Sequence, residues 1–186
     1  MVKNASKGRP SSAAVILDTA LRLLDDGAPV SLESVAQAAG LTKPGLMYHF
    51  PTKAALMDAL VDHVVDTLER DLFARLSVPI AESSAAERIG AYLRWGLEYH
   101  HRRSDLVMLS DPKLATRLTA RWTERFRKWV EVPADTAAPE RTRLYAARHI
   151  ADGAWFAGTT EMFPVPAADR PDLLRFALEL LKGPTS

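Results

Sequence analysis

Two very short helical segments lie next to each other between Ser31 and Phe50, and they place the strongest constraint on the fold. Ser31 is suited to cap the first segment, in which apolar residues recur at helical spacing until Gly40. Thr42 is suited to cap the second segment. Pro51 keeps that segment short, because the residue before a proline is disfavoured in helical geometry. Two short helices joined by a tight glycine turn, after a supporting first helix, predict a helix-turn-helix.

The apolar periodicity stays helical along the rest of the chain, without strand-like alternation of any length. We therefore predict an all-α fold, in which an N-terminal three-helix helix-turn-helix domain precedes a C-terminal helical domain. The remaining helices are expected between Ser12 and Gly27, from Thr52 to about Leu76, and at 84–103, 105–110, 111–131, 140–163 and 170–182. The predicted parts are a flexible basic arm at 1–11, the helix-turn-helix domain at 12–53, a linking helix at 54–76, and a further domain at 77–186.

The composition excludes several classes of protein. The chain contains no cysteine, which rules out disulfides and thiolate metal sites and fits a reducing compartment. Its longest apolar runs fall short of the roughly 18 residues that a membrane-spanning helix needs. The opening residues MVKNASKGRPSS lack the apolar core of a secretory signal. We therefore expect a cytoplasmic protein without a membrane partner.

The charges are nearly balanced overall but unevenly distributed. A net charge of +1 does not indicate a general polyanion binder. The N-terminal arm carries Lys3, Lys7 and Arg9. The predicted helix at 111–131 is also basic, and such an amphipathic helix can bind a membrane or a nucleic acid, although a solvated face is the more usual explanation.

The second short segment has an unusual composition for a core helix, and DNA binding explains it. In a helix-turn-helix, the N-terminal residues of the last helix face base edges in the major groove. Free N–H groups near Thr42 and Lys43 favour a phosphate, and Gly45 allows close approach of the backbone. Tyr48 and His49 can hydrogen-bond phosphates or bases. The alternative is that the glycine serves only the turn and that Tyr48 is a half-buried core residue.

Residues from about Ser12 to Val65 resemble the DNA-binding domain of the tetracycline-repressor (TetR) family. The resemblance rests on the run SLESVAQAAGLTKPGLMYHFPTKAALMDALVDHV, which extends from Ser31 to Val64. It implies that seven residues contact double-stranded DNA: Ser31, Thr42, Lys43, Gly45, Tyr48, His49 and Lys53. Among these, Tyr48 and Lys53 match phosphate contacts best. Pro44 departs from the family, since many members carry a small or polar residue there that can face a base.

The resemblance implies a transcriptional regulator. We expect a homodimeric repressor that a small hydrophobic effector releases from a palindromic operator, with residues 77–186 supplying ligand binding and dimerisation. The alternatives are an activator of the same family and a helix-turn-helix used for protein interaction. A protein-docking face would be more apolar than the cluster of Thr42, Lys43 and Lys53.

Aromatic residues recur at helical spacing in the C-terminal half, where they form either plain core or a ligand pocket. Three of the four tryptophans, Trp95, Trp122 and Trp129, come from two consecutive predicted helices. The family resemblance implies an apolar ligand pocket in this domain. The candidate lining consists of Tyr92, Trp95, Tyr99, His100, Trp122, Phe126 and Trp155.

Catalytic and metal-binding patterns are missing from the sequence. His100 and His101 are adjacent on a predicted helix and point about 100° apart, so they cannot share one ion unaided. The sequence contains no glycine-rich phosphate loop, no HExxH motif and no nucleophile elbow. We therefore expect a protein that is not an enzyme and that uses neither a metal nor another cofactor.

The last predicted helix favours dimerisation. From Leu173 to Leu181 it reads LLRFALELL, and a helix that is apolar nearly all round is expected to be buried. The preceding helix offers small residues that allow close helix approach, so the two helices of each protomer can form an intermolecular four-helix bundle. The alternative is that the leucines complete the monomer core. The candidate interface consists of Ala154, Gly158, Leu174, Leu178 and Leu181.

Overall fold

The structure is a computed structural model that describes residues 12–183. The predicted basic arm at 1–11 lies outside the described residues. Within them, the regular structure is helical, which confirms the predicted all-α fold. The α-helices are α1 (Ser12–Asp25), α2 (Leu32–Ala38), α3 (Lys43–His49), α4 (Lys53–Phe73), α5 (Ala85–Glu98), α6 (Ala115–Val130), α7 (Ala138–Thr160) and α8 (Arg170–Lys182). Short 3-10 segments occupy Ile80–Glu82 and Arg103–Leu109.

The chain divides into two compact units, and the boundary between Leu60 and Val61 falls inside α4. In the N-terminal unit, α2 packs against both α1 and α3. The core of this unit consists of buried apolar side chains, including Ile16, Ala20, Val35, Leu46 and Leu56. Burial of such side chains stabilises helices that are too short to persist alone in water.

The turn between α2 and α3 depends on Gly40. This residue has a φ of +67°, a left-handed conformation that glycine adopts at no steric cost. The amide of Gly40 donates to the carbonyl of Gln37, and the amide of Leu41 donates to the carbonyl of Ala36 at 2.8 Å. These two bonds close the end of α2 as a Schellman motif, and they direct the chain into α3.

In the C-terminal unit, α5 is central and packs against α6, α7 and α8. Ile89 and Leu93 of α5 are fully buried, as are Leu144 and Ala147 of α7. The two helices approach closely at Gly96, where an added Cβ would lie 3.0 Å from the carbonyl oxygen of Ala151. Glycine is therefore the residue that allows α5 to lie directly on α7.

Several helices of the C-terminal unit are shorter than the sequence predicted. The helix expected at 84–103 ends at Glu98, because Tyr99 is extended with a ψ of 149°. The helix expected at 111–131 begins at Ala115, since the Asp111 carboxylate accepts the amide of Lys113 at 2.8 Å and forms a local turn. The short helix expected at 105–110 is instead part of a 3-10 segment.

Candidate functional site

Helix α3 carries most of the predicted DNA contacts and presents them to solvent. Leu46 is fully buried and anchors the helix to the core of the N-terminal unit. Tyr48 lies on the opposite side and is 88% exposed. Among the predicted contacts, Thr42, Lys43, Tyr48 and Lys53 are exposed, while Ser31, Gly45 and His49 are half-buried. Because Leu46 alone anchors α3 in the core, the polar and basic face of this helix remains accessible to solvent.

Side-chain caps fix the beginnings of the two short helices. The Ser31 hydroxyl accepts the amide of Ser34 at 3.0 Å, and the Ser34 hydroxyl accepts the amide of Ser31 at 2.9 Å. The Thr42 hydroxyl accepts the amide of Gly45 at 3.2 Å. A Cβ on Gly45 would also lie 3.2 Å from that hydroxyl oxygen, so glycine leaves room for the cap. Gly45 therefore supports the local geometry of α3.

Sequence reasoning did not identify Glu33 as part of this surface. Its carboxylate pairs with the ammonium group of Lys43, so α2 holds the first residue of α3. The hydrogen bond from Lys43 lowers the pKa of Glu33 below its ordinary value, and the backbone amide adds to this effect. Lys43 must therefore share its charge between Glu33 and any nucleic acid.

The C-terminal unit brings six of the seven predicted ligand-binding side chains into one aromatic cluster, which consists of Tyr92, Trp95, Tyr99, Trp122, Phe126 and Trp155. Ring centroids are 5.3 Å apart for Trp95 and Tyr99, and 5.1 Å apart for Tyr92 and Phe126. Trp122 and Trp155 stack across α6 and α7 at 5.4 Å. The cluster thus joins three successive α-helices, α5, α6 and α7.

The structure does not bring His100 into this cluster, because its side chain is exposed. His101 occupies that place instead, with its ring edge-on to Trp95 at 4.8 Å. Its Nε2 lies 2.8 Å from the carbonyl oxygen of Gly96, one of the carbonyls that the end of α5 leaves unpaired. A Cβ on Gly158 would lie 2.8 Å from the His101 ring, so α7 also approaches this histidine closely.

An open cleft of about 620 Å³ lies beside the cluster, between α6 and α7. Its aromatic walls include Trp122, Phe126 and Trp155. At its polar end, the Tyr92 hydroxyl donates to Asp152 at 2.9 Å. Burial raises the pKa of Tyr92 well above its ordinary value, and the Asp152 charge adds to this effect. Tyr92 therefore remains a hydrogen-bond donor at neutral pH.

An ion-pair network, formed by the carboxylates of α4 and the cations of α6, ties these two helices together within the C-terminal unit. Arg121 binds Asp62 with two hydrogen bonds, of which the one from Nε is 2.8 Å long. Arg125 donates to Asp66 at 2.6 Å and also reaches Asp62 at 3.1 Å. The usual explanation for a basic helix face is exposure to solvent. Part of the basic face of α6 instead binds α4.

The network also includes a buried carboxylate. Glu69 accepts the Trp129 indole N–H at 3.0 Å and pairs with Lys128. Trp129 is completely buried. These contacts supply the hydrogen bonds that a carboxylate requires when it leaves water.

The predicted dimer residues face different surroundings. Leu178 and Leu181 line a cleft between α5 and α8, and a Cβ added to Gly90 of α5 would lie 3.9 Å from Leu178 and 3.4 Å from Leu181. Leu174 lines the same cleft, Gly158 faces His101, and Ala154 is half-buried. The large exposed apolar side chains of α7 and α8 are Tyr145, Phe156 and Phe176.

No helix within residues 12–183 combines the length and the apolar character that crossing a bilayer requires.

Two family models match the chain. Residues 16–60 match the model described as bacterial regulatory proteins, tetR family. Residues 86–182 match the model described as tetracyclin repressor-like, C-terminal domain. The first match lies within the N-terminal unit and the second within the C-terminal unit.

Curated relatives give a consistent result. The HTH-type transcriptional regulator EthR of Mycolicibacterium smegmatis is 26% identical over 140 residues, which are 73% of this chain and 64% of EthR. EthR of Mycobacterium tuberculosis is 26% identical over 136 residues, which are 72% of this chain and 63% of EthR. The chain therefore matches less than two thirds of the length of these relatives.

Solved structures share the fold. A TetR-family member from Streptomyces coelicolor A3 has a TM-score of 0.60 at 20% identity, and the match covers 90% of this chain and 98% of that one. GusR of Salmonella enterica has a TM-score of 0.63 at 14% identity, and the match covers 97% of this chain and 98% of GusR.

Proposed function

Because this chain belongs to the TetR family of helix-turn-helix transcriptional regulators, we propose that it is a homodimeric repressor that a small hydrophobic ligand releases from a palindromic operator. The exposed face of α3 carries the proposal. Leu46 packs the buried side of α3 into the core of the N-terminal unit. On the exposed side, Thr42, Lys43 and Tyr48 are accessible to solvent. A helix held in this way can enter the major groove without losing its core contacts.

A palindromic site follows from the length of α3. A helix of 7 residues offers few base contacts, so one copy alone gives little discrimination between sequences. Two copies related by a two-fold axis can read two half-sites that lie about 34–36 Å apart. We therefore expect specific binding to need a dimer.

The exposed aromatic residues of α7 and α8 support a dimer surface on these helices. Phe176 is 61% exposed on α8, and Phe156 and Tyr145 are exposed on α7. Burying them against a second copy removes apolar surface from water. Of the residues predicted from the sequence, Ala154 lies on α7 and is half-buried, whereas Gly158 packs against His101 of the same chain.

A pair of charge substitutions tests this surface. Phe176→Glu is expected to give monomers at micromolar concentration in sedimentation and to weaken operator binding strongly. The control is Leu109→Glu, which replaces another exposed apolar residue outside α7 and α8. If Phe176→Glu remains a dimer while keeping its fold, the dimer does not use this surface.

For a ligand to release the DNA, it must change the position of helices that connect to the N-terminal unit. Trp122 and Phe126 place α6 in the aromatic cluster, while Arg121 and Arg125 tie α6 to α4. A ligand that displaces α6 therefore acts on α4, which continues into the N-terminal unit. Such a ligand favours a dimer geometry in which the two reading helices no longer fit successive grooves.

The central experiment measures DNA binding directly. The full chain is used to select fragments from its own genome, and the affinity for a selected duplex is followed by fluorescence anisotropy at increasing salt concentration. Affinity should fall steeply with salt, because phosphate contacts release counterions. An affinity that stays constant between low and moderate salt would contradict DNA binding. Transcription in vitro from the selected promoter then separates a repressor from an activator.

A further inference from the structure

We propose that the ligand is a flat aromatic carboxylate and that Arg148 binds its carboxylate group. This inference rests on the proposed function, since it names the class of effector that the cleft between α6 and α7 accepts. Three features of that cleft support it: its aromatic walls, the arrangement of its charges, and its unmatched hydrogen-bond donors.

The walls favour a flat aromatic body. The rings of Trp122 and Trp155 are nearly parallel, with an interplanar angle of 8° and centroids 5.4 Å apart. Phe126 and Tyr145 also line the cleft. Aromatic rings stack favourably in an offset arrangement, so a planar ligand gains both apolar burial and ring contacts here. The volume of about 620 Å³ suits a molecule with fused rings.

At the polar end, Arg148 keeps hydrogen-bond donors that its ion pair with Asp152 does not use. Asp152 uses one oxygen to accept the Tyr92 hydroxyl at 2.9 Å and the other to accept Arg148 Nε at 3.3 Å. The guanidinium of Arg148 also lies over the Tyr145 ring at 5.9 Å. Asp152 therefore binds Arg148 through Nε, and the Tyr145 ring contacts one face of the guanidinium group. The Nη1 and Nη2 groups of Arg148 remain available as donors.

The hydrogen-bond inventory distinguishes an anion from a cation. Arg148 already pairs with the charge of Asp152, and each oxygen of Asp152 already accepts one hydrogen bond. A cationic ligand therefore gains less here than it would from an unpaired carboxylate. Trp155, another lining residue, has a buried indole N–H without an acceptor among the described residues. The donors that a ligand in this cleft can reach therefore include the Nη groups of Arg148.

The other charged pair of the cleft, Arg127 and Glu131, adds no net charge. Arg127 and Glu131 lie 4.0 Å apart, and both side chains are more than half exposed. Solvent screens such a pair, and its two charges largely cancel. A carboxylate that approaches Arg148 can form a bidentate, charge-assisted interaction, which is the geometry that guanidinium groups favour.

The test compares three probes of similar shape and different charge. Isothermal titration calorimetry on the whole 186-residue chain measures the affinities of 2-naphthoate, methyl 2-naphthoate and 2-naphthylmethylammonium. We expect 2-naphthoate to bind at least about tenfold more tightly than either of the others. Equal or tighter binding of the ester or the ammonium probe would overturn the proposal, as would a failure of 2-naphthoate to bind at millimolar concentration.

Variants then assign the effect to Arg148. Arg148→Gln should lower the affinity for 2-naphthoate to that of the ester and leave the ester unchanged. The control is Arg127→Gln at the exposed rim, which should preserve the preference for the carboxylate. Circular dichroism checks that both variants fold. A carboxylate preference that persists in folded Arg148→Gln protein would overturn the assignment.

A separate readout distinguishes this inference from the proposed function. The same titrations are repeated with labelled operator DNA present. If 2-naphthoate binds through Arg148 without releasing the DNA, the ligand class stands and ligand-controlled repression fails. If the ester alone binds and releases the DNA, repression stands and the carboxylate proposal fails.

Discussion

In the N-terminal unit, six of the seven candidate DNA contacts lie within residues 42–53, and most of them are exposed. In the C-terminal unit, the aromatic cluster extends from Tyr92 to Trp155, and most of its rings are buried. The first surface is formed by consecutive residues on one short helix and the start of the next, whereas the second exists only after three long helices have packed.

The difference separates the effects of substitutions. An exposed side chain on α3 contributes to binding while the core of its unit remains intact, so its loss should leave stability nearly unchanged. Side chains of the C-terminal unit join helices to one another, so their loss should weaken the fold itself. Four predictions, ordered by expected size, test this contrast.

The largest effect is expected for Trp129→Ala. This change removes a completely buried indole and the hydrogen bond that Glu69 accepts from it. The cavity and the lost donor should lower the free energy of unfolding by about 3–5 kcal/mol. Urea unfolding followed by circular dichroism measures it. The matched variant is Tyr48→Ala on α3, which should change stability by less than about 0.5 kcal/mol. Similar losses in the two variants would remove the contrast between the units.

The second prediction separates two roles on the DNA-binding surface. Lys43→Ala should change the preference at one base pair by about 1–3 kcal/mol, if this residue reads a base edge. Lys53→Ala should instead weaken binding to all sequences by similar factors, as the loss of a phosphate contact does. Competition binding against a set of single-base operator variants measures both. A shift in preference for Lys53→Ala would reverse these roles.

The third prediction concerns the ion pairs between α4 and α6. Burial acts to raise the pKa of Asp62. The hydrogen bonds and charges of Arg121 and Arg125 outweigh this effect and hold the pKa below its ordinary value. The unfolded chain therefore takes up this proton first as the pH falls. The stability that Asp62 contributes is fully present above its unfolded pKa and is lost as the pH falls through its lower folded pKa.

Asp62→Asn should therefore be less stable than the wild type at neutral pH, and this difference should shrink below about pH 4. Urea midpoints at pH 7 and pH 3.5 measure the change. Asp172→Asn provides the control, because Asp172 belongs to an exposed pair with Arg175 on α8. A difference between Asp62→Asn and wild type that stays the same at both pH values would contradict the prediction.

The smallest effect is expected for Glu33→Gln. Removing this carboxylate releases Lys43 from its ion pair and makes it available to a phosphate. One additional phosphate contact should steepen the plot of log affinity against log salt by about 0.9. Anisotropy with a non-specific duplex measures the slope, and Glu140→Gln at the exposed start of α7 is the control. An unchanged slope would show that Glu33 does not compete with DNA for Lys43.

The sequence predicted the parts of the molecule that depend on neighbouring residues. Ser31, Gly40 and Thr42 begin and end the short helices where their cap and turn chemistry indicated. The family models confirm the TetR resemblance that the run from Ser31 to Val64 indicated. These features need only local hydrogen bonds and backbone preferences, which a linear pattern contains.

Features that depend on distant contacts were harder to predict. The sequence predicted His100 beside the aromatic cluster, whereas His101 lies there. The reason is that α5 ends at Glu98, so that His101 lies beyond the helix and its ring binds the Gly96 carbonyl. Helical periodicity contains no signal for such a bond. A signal did exist for the α4–α6 network. Its carboxylates at 62, 66 and 69 and its cations at 121, 125 and 128 share the same helical spacing.

The near-parallel stack of Trp122 and Trp155 also has an optical consequence. Two indoles with centroids 5.4 Å apart are close enough for their electronic transitions to couple, and the coupling depends on the spacing and orientation of the rings. A molecule that slides between or beside them changes that orientation. The near-ultraviolet circular dichroism of the unlabelled protein should therefore change when the cleft is occupied, and the chain carries its own spectroscopic reporter.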